Sequence, residues 1–172
     1  MAETILNKSS NEQFKDDYTR YALYTTYKRV LSDMRDGLKP VQRRILWAMF
    51  HDTKAVTHTV KSAAVVGDVM KLYHGHGDVG IYGTIKPMTN WFESKVPLVD
   101  NQGSFGNLEG DPASAPRYTE CKLSKFALEC VIGELANTTK AVDWLNNYSN
   151  TCLEPEYLPV KVPLLLIEGS LG

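Results

Sequence analysis

Arg117 and Tyr118 stand side by side in SAPRYTE (114–120), at the end of a run rich in Gly, Pro and Ser. A phenol is a weak nucleophile at neutral pH because its pKa lies at about 10. A guanidinium carries its charge at every physiological pH and stabilises the phenolate that must form. The pair therefore holds an attacking oxygen and a fixed cation. The commoner use of tyrosine is to give its ring to the core and its hydroxyl to a hydrogen-bond partner. Taken alone, Tyr118 leaves both uses open.

The other candidates are cations. Lys28, Arg29, Arg35, Lys39, Arg43 and Arg44 form a basic run in which only Asp33 and Asp36 intervene. Such a run is either a solvated face or a strip for phosphates. His74 and His76 alternate with Gly75 and Gly77 in a turn with no third ligand in sequence, so the pair does not read as a zinc site. A histidine there can instead donate to a phosphate at the start of the following helix. Asp33, Asp36, Glu109 and Asp111 are scattered singles, read as caps and turn formers, so no metal is assigned to this chain.

These side chains need elements to hold them. Helical spacing predicts helices over about 18–31, from Pro40 through Phe50, over 60–73, and over 78–92 with Asp78 as cap. A strand at Pro97–Val99 leads into a long loop, or wing, to Arg117. Helical period returns over 119–135, with Thr119 as cap. Two neighbouring helices followed by a strand and a wing suggest a helix-turn-helix of the winged type. The expected fold class is α+β, mostly helical. It comprises a flexible leader at 1–17, a winged-helix domain at 18–137, and the start of a strand-containing subdomain at 138–172.

Composition narrows the class. The chain has 172 residues, 43% of them apolar, and a formal net charge of −1, so total charge says nothing about a polyanionic partner. Its distribution is uneven: residues 1–86 carry thirteen Lys/Arg against nine Asp/Glu, and the rest six against eleven. Cys121, Cys130 and Cys152 follow no disulfide or metal spacing, and no signal or membrane-spanning run is present. A reducing, cytoplasmic setting beside the nucleoid is expected.

Four collinear stretches carry a more specific message: RVLSDMRDGLKPVQRR (29–44), KSAAVVGDVMKLYHGHGD (61–78), DNQGSFGNLEGDPASAPRYTE (100–120) and LPVKVPLLLIEGSLG (158–172). Together they resemble the beginning of the A subunit of bacterial type IIA DNA topoisomerases, the breakage-reunion subunit of gyrase and topoisomerase IV. The resemblance runs from about Tyr21 to the last residue. It implies a winged-helix domain in a dimer through which duplex DNA passes, and a tyrosine that cuts one strand as a transient 5′-phosphotyrosyl bond. The family's Arg-Tyr-Thr falls on Arg117, Tyr118 and Thr119, which makes Tyr118 the nucleophile and Arg117 its catalytic neighbour. DNA contacts carry over to Arg29, Lys39, Arg43, Arg44, Lys61, His74, His76, Gln102 and Thr119.

The resemblance also implies partners. Mg²⁺ and ATP are expected on the B subunit, which supplies the metal-binding and ATPase parts, so this polypeptide reads as half of an active site. A homodimer of A subunits is expected in the full-length protein. The subdomain begun at 138–172 is the start of the family's tower; the wedge isoleucine, the rest of the tower, the coiled-coil arms, the gate and any DNA-wrapping domain lie past the Gly-Ser-Leu-Gly at which this sequence stops. The 172 residues alone are therefore expected to bind duplex weakly and with strong salt dependence, without strand passage. The rival reading is a non-catalytic DNA-binding module that keeps the basic strip but does not cleave.

Overall fold

The computed structural model describes residues 8–137 and 139–169. Helix α1 (Ser10–Thr25) starts where Ser9 and Glu12 form a reciprocal capping box. It therefore begins ahead of Tyr18 and takes in much of the expected leader. None of its residues is buried, and Phe14, Tyr18, Tyr21 and Tyr24 are all exposed. The helix widens into a π turn, Thr26–Val30, closed by the Leu31 N–H on the Thr26 carbonyl at 3.1 Å.

Helix α2 (Pro40–His51) opens on proline, whose missing N–H costs nothing in a first turn. The Gln42 side chain accepts from the Lys39 N–H at 2.9 Å just before it. Its buried face, Ile45, Leu46 and Met49, meets Val65 and Val69 of α3 (Ser62–Leu72) and Ile81 and Ile85 of α4 (Asp78–Thr89). Each side chain of this size contributes about 1.5–3 kcal/mol when fully buried. Asp78 is the first residue of α4 and not its cap; its carboxylate accepts from the Val79 N–H at 3.0 Å.

A three-stranded antiparallel sheet closes the core in the order β1 (Val60–Lys61), β3 (Glu120–Leu123), β2 (Val99–Gln102). Val99 faces Leu123, Gln102 faces Glu120, and Lys61 also faces Glu120. The helix expected from Thr119 is thus a strand at its start. Cys121 and Leu123 are buried while Glu120 and Lys122 are half-exposed, which is the two-residue period of a sheet. Helical turns begin only after Ser124, whose hydroxyl accepts from the Ala127 N–H at 3.1 Å. They run through a π turn, Ala127–Val131, to the short α5 (Glu134–Asn137).

The segment expected to open a second subdomain packs on the same core. Hairpin β4 (Trp144–Asn146) and β5 (Leu153–Pro155) sets Trp144 edge-on to Trp47 of α2 at 5.2 Å. Asn147, buried, donates to the Leu72 carbonyl at the end of α3 and accepts from the Thr151 N–H. Val142, Leu158 and Leu164 join the central apolar cluster. Leu164 opens α6 (Leu164–Glu168), which lies against Gly37. Gly37 has φ +71°, and a Cβ there would sit 2.5 Å from the Leu165 amide nitrogen, so conformation and space both demand glycine. Among the described residues, no helix is long and apolar enough to cross a membrane.

Candidate functional site

Tyr118 lies on a turn whose backbone is held from several sides. Its own N–H bonds the Ala115 carbonyl at 2.9 Å, and Ser114 N–H bonds the Ser104 carbonyl at 3.0 Å. From α3, the Ala63 N–H reaches the Pro116 carbonyl at 3.1 Å and the Ser62 N–H reaches the Thr119 carbonyl at 3.0 Å. Gly103, at φ +104°, lets the β2–β3 connection pass close behind: a Cβ there would touch Thr119 Cα at 3.4 Å. On this frame the Tyr118 ring is 65% exposed, with the Arg117 guanidinium carbon 4.8 Å from its centroid. The ring faces solvent and not the core, so Tyr118 does not serve as a core residue.

Thr119 behaves differently. It is fully buried, and its hydroxyl lies 2.9 Å from Ser62 Oγ and 3.0 Å from the Tyr82 hydroxyl. Neither a helix cap nor an outward-facing group, it corrects the expectation that a helix starts at Thr119. Lys61 and Gln102 flank Glu120 on the two neighbouring strands, two residues from Tyr118. Lys61 Nζ pairs with Glu120 at 2.8 Å and Thr59 donates to the same carboxylate at 2.7 Å. The Lys61 hydrogen bond is the main reason the Glu120 carboxyl titrates below its ordinary range.

The basic residues gather on the other side of α4. Lys28, Arg29, Val41, His74, Gly80 and Thr84 line a cavity of about 170 Å³. Arg29 and His76 are exposed, and the His76 ring stands edge-on to His74 at 5.0 Å. Arg44 forms a two-toothed pair with the buried Glu154 of β5, both contacts at 2.7 Å, and reaches His74 Nδ1 at 3.3 Å. Lys39, half-buried, sits just ahead of α2 and does not line this cavity.

Arg43 is a second correction. The sequence groups it with Arg44 in the basic run, yet it is buried. It grips Asp36 through Nε at 2.6 Å and Nη2 at 3.0 Å and donates to the Leu38 carbonyl. Held in this way, the guanidinium is committed to Asp36, although it borders an open cavity of about 530 Å³ together with Arg35 and Arg44. Asp36, read from sequence as a turn former, also accepts from the Leu38 and Leu158 amides at 2.9 Å each. Sequence reasoning missed it, along with Glu154, Tyr82 and Ser62. The one local signal was Asp36-Gly37 ahead of Pro40, which marks a turn but not its partner.

The charge of His74 is set by its surroundings. Burial first, then the nearby Arg44, His76 and Arg29, push its pKa down to about 4. It is neutral at pH 7, so Nδ1 accepts from Arg44 and the proton sits on Nε2, available to donate. The imidazole NMR resonances of His74 are therefore expected to stay those of the neutral ring until the pH approaches 4. Its unfolded pKa is the ordinary 6.5. The unfolded chain therefore binds the proton first, and this contribution to stability is full above 6.5 and lost as pH falls toward 4. A titration midpoint above 6 would contradict the burial argument.

The family model for the A subunit of DNA gyrase/topoisomerase IV matches residues 29–172. The chain belongs to that family. It is 41% identical over 173 residues to the DNA gyrase A subunit of Thermotoga maritima, covering all of this chain and 21% of that protein. Identity to the gyrase A subunit of Aminobacterium colombiense is 46% over 162 residues, covering 94% and 20%. For Pseudomonas aeruginosa it is 43% over 173 residues, covering 100% and 18%. The chain spans about a fifth of the length of these curated gyrase relatives.

Proposed function

We propose that this chain is the DNA-binding and strand-cleaving portion of a type II topoisomerase A subunit, with Tyr118 as nucleophile. The observation that carries the reading is an exposed tyrosine beside a guanidinium, on a turn pinned from behind, in a chain of the gyrase A family. Helices α3 and α4 with the β2–β3 hairpin act as a winged helix. Arg29, His74 and His76 meet backbone phosphates on one side of α4, with Arg44 holding His74 in place from Glu154, while Lys61 and Gln102 lie beside the turn on the other. The partners are duplex DNA, a second copy of the A subunit, and a B subunit that hydrolyses ATP.

The Tyr118 phenol gives up its proton and its oxygen bonds to phosphorus; the bond from phosphorus to the neighbouring sugar's 3′ oxygen breaks, and that oxygen takes a proton. One phosphodiester replaces another, so the reverse step needs no external energy. Arg117 stabilises the phenolate and the charge that builds on phosphorus. Among the described residues no group of three or more His, Cys, Asp or Glu converges. Mg²⁺ and ATP are assigned to the B subunit.

The test combines an A subunit carrying this segment with a cognate B subunit, Mg²⁺ and supercoiled plasmid, followed by detergent trapping. A covalent protein–DNA adduct that maps to Tyr118 is expected. Salt-sensitive duplex binding with no adduct supports the non-catalytic module instead.

A further inference from the structure

The Tyr118 turn is bracketed by a single phenol. Tyr82, 7% exposed on α4, donates to the Ser114 carbonyl at 2.7 Å and meets the Thr119 hydroxyl at 3.0 Å. These are the residues on either side of the segment 115–118, which carries Tyr118. Thr119 in turn contacts Ser62 Oγ at 2.9 Å, and Ser62 contacts Cys121 Sγ at 3.7 Å, so the bracket is anchored in α3 and β3. A carbonyl can only accept, which fixes the Tyr82 proton on Ser114. Buried hydroxyls of this kind hold geometry strongly because each loses its water partner if the contact opens.

We propose that Tyr82 is a positioning residue of the cleavage reaction, acting through Ser114 and Thr119 to hold Tyr118 at a fixed place relative to α4. The inference rests on the reading of Tyr118 as nucleophile. Its geometric basis is that α4 has two working sides. Gly80 and Thr84 line the basic cavity, while Tyr82, between them in sequence, holds the turn. DNA phosphates seated in the cavity and the attacking oxygen are thus referred to the same helix. Ring packing does not depend on the hydroxyl: Phe105 lies 6.0 Å and Lys86 Nζ 5.3 Å from the Tyr82 ring. Phenylalanine therefore fills the space but releases the bracket.

The experiment uses the A subunit that carries this chain, with its B subunit, Mg²⁺ and a labelled duplex. It measures duplex affinity and adduct-forming rate separately for Tyr82→Phe, Thr119→Val and the double variant. Misplacing a nucleophile slightly slows chemistry while leaving remote binding contacts intact. Tyr82→Phe is expected to slow adduct formation about tenfold or more with duplex affinity within about twofold of the parent. The double variant should lose little more than the worse single one, since both break one bracket. A Tyr82→Phe rate within about twofold of the parent overturns the proposal, as does a rate loss matched by equal losses of affinity and thermal stability. Should Tyr82→Phe not fold, Thr119→Val decides by the same criteria. Tyr118→Phe is run alongside. Persistence of the adduct in that variant defeats the nucleophile assignment, whereas its loss with Tyr82→Phe unaffected defeats the positioning role alone.

Discussion

Exchange of Tyr118 for phenylalanine is expected to remove the covalent adduct altogether, a loss on the order of 10⁴-fold or more, while duplex affinity and melting temperature stay near those of the parent. The single atom removed is the one that bonds phosphorus. The hydroxyls of Thr119 and Tyr82 cannot replace it, because both are buried and engaged with one another. The ring is largely in solvent, so its loss of a hydroxyl opens no cavity, and the face offered to Arg117 remains. Binding and chemistry should therefore separate cleanly. The check is detergent-trapped adduct on plasmid against anisotropy of a labelled duplex. An adduct that survives the exchange would move the nucleophile elsewhere and leave Tyr118 a surface residue. Arg117→Ala should give the intermediate result, since it removes stabilisation of the phenolate but not the attacking atom.

The legible parts of the fold were those set by local rules. The apolar period of Val41, Ile45, Leu46 and Met49 placed α2, and Pro40 marked its start; α3 and α4 followed from the same spacing and from the glycines between them. The crowding of Gly, Pro and Ser before Arg117 placed Tyr118 on an ordered loop, where it lies. The start of α1 was also legible in principle: Ser9 and Glu12 stand at capping-box spacing, but the polar segment after them has no buried face to suggest a helix. The strand β3 was not legible. Cys121 and Leu123 suit either period, and what selects the strand is pairing with β1 and β2 from distant parts of the chain.

The same limit governs the site. Arg43 and Arg44 are neighbours of identical chemistry, and nothing local distinguishes a buried ion pair from a phosphate contact. The distinction comes from Asp36 folding back beneath α2 and from Glu154 arriving on β5. His74 shows this in its protonation: as a sequence it is a cation candidate near neutral pH, but burial beside Arg44 makes it a neutral donor. Part of the basic strip is thus a scaffold for the rest.

That scaffold is where the largest loss of stability is expected. Asp36→Ala should destabilise the protein by about 3–5 kcal/mol at pH 7, a large share of the roughly 5–15 kcal/mol of an ordinary domain. The carboxylate is fully buried and receives Arg43 through two nitrogens and the amides of Leu38 and Leu158. Alanine leaves a buried guanidinium without its counter-charge and two amides without acceptors. Leu158 follows the β4–β5 hairpin, so the same change loosens the hairpin that brings Glu154 to Arg44. Asp36→Asn keeps the size but removes the charge and turns an N–H toward existing donors, so it should destabilise as well, through lost charge and a lost acceptor. Combining Asp36→Asn with Arg43→Met should recover part of the loss, since an apolar stem then replaces the stranded cation. Urea unfolding of the four proteins gives the comparison. A loss below about 1 kcal/mol for Asp36→Ala would mean that water or rearrangement satisfies Arg43, and Arg43 would then return to the set of side chains able to meet a phosphate.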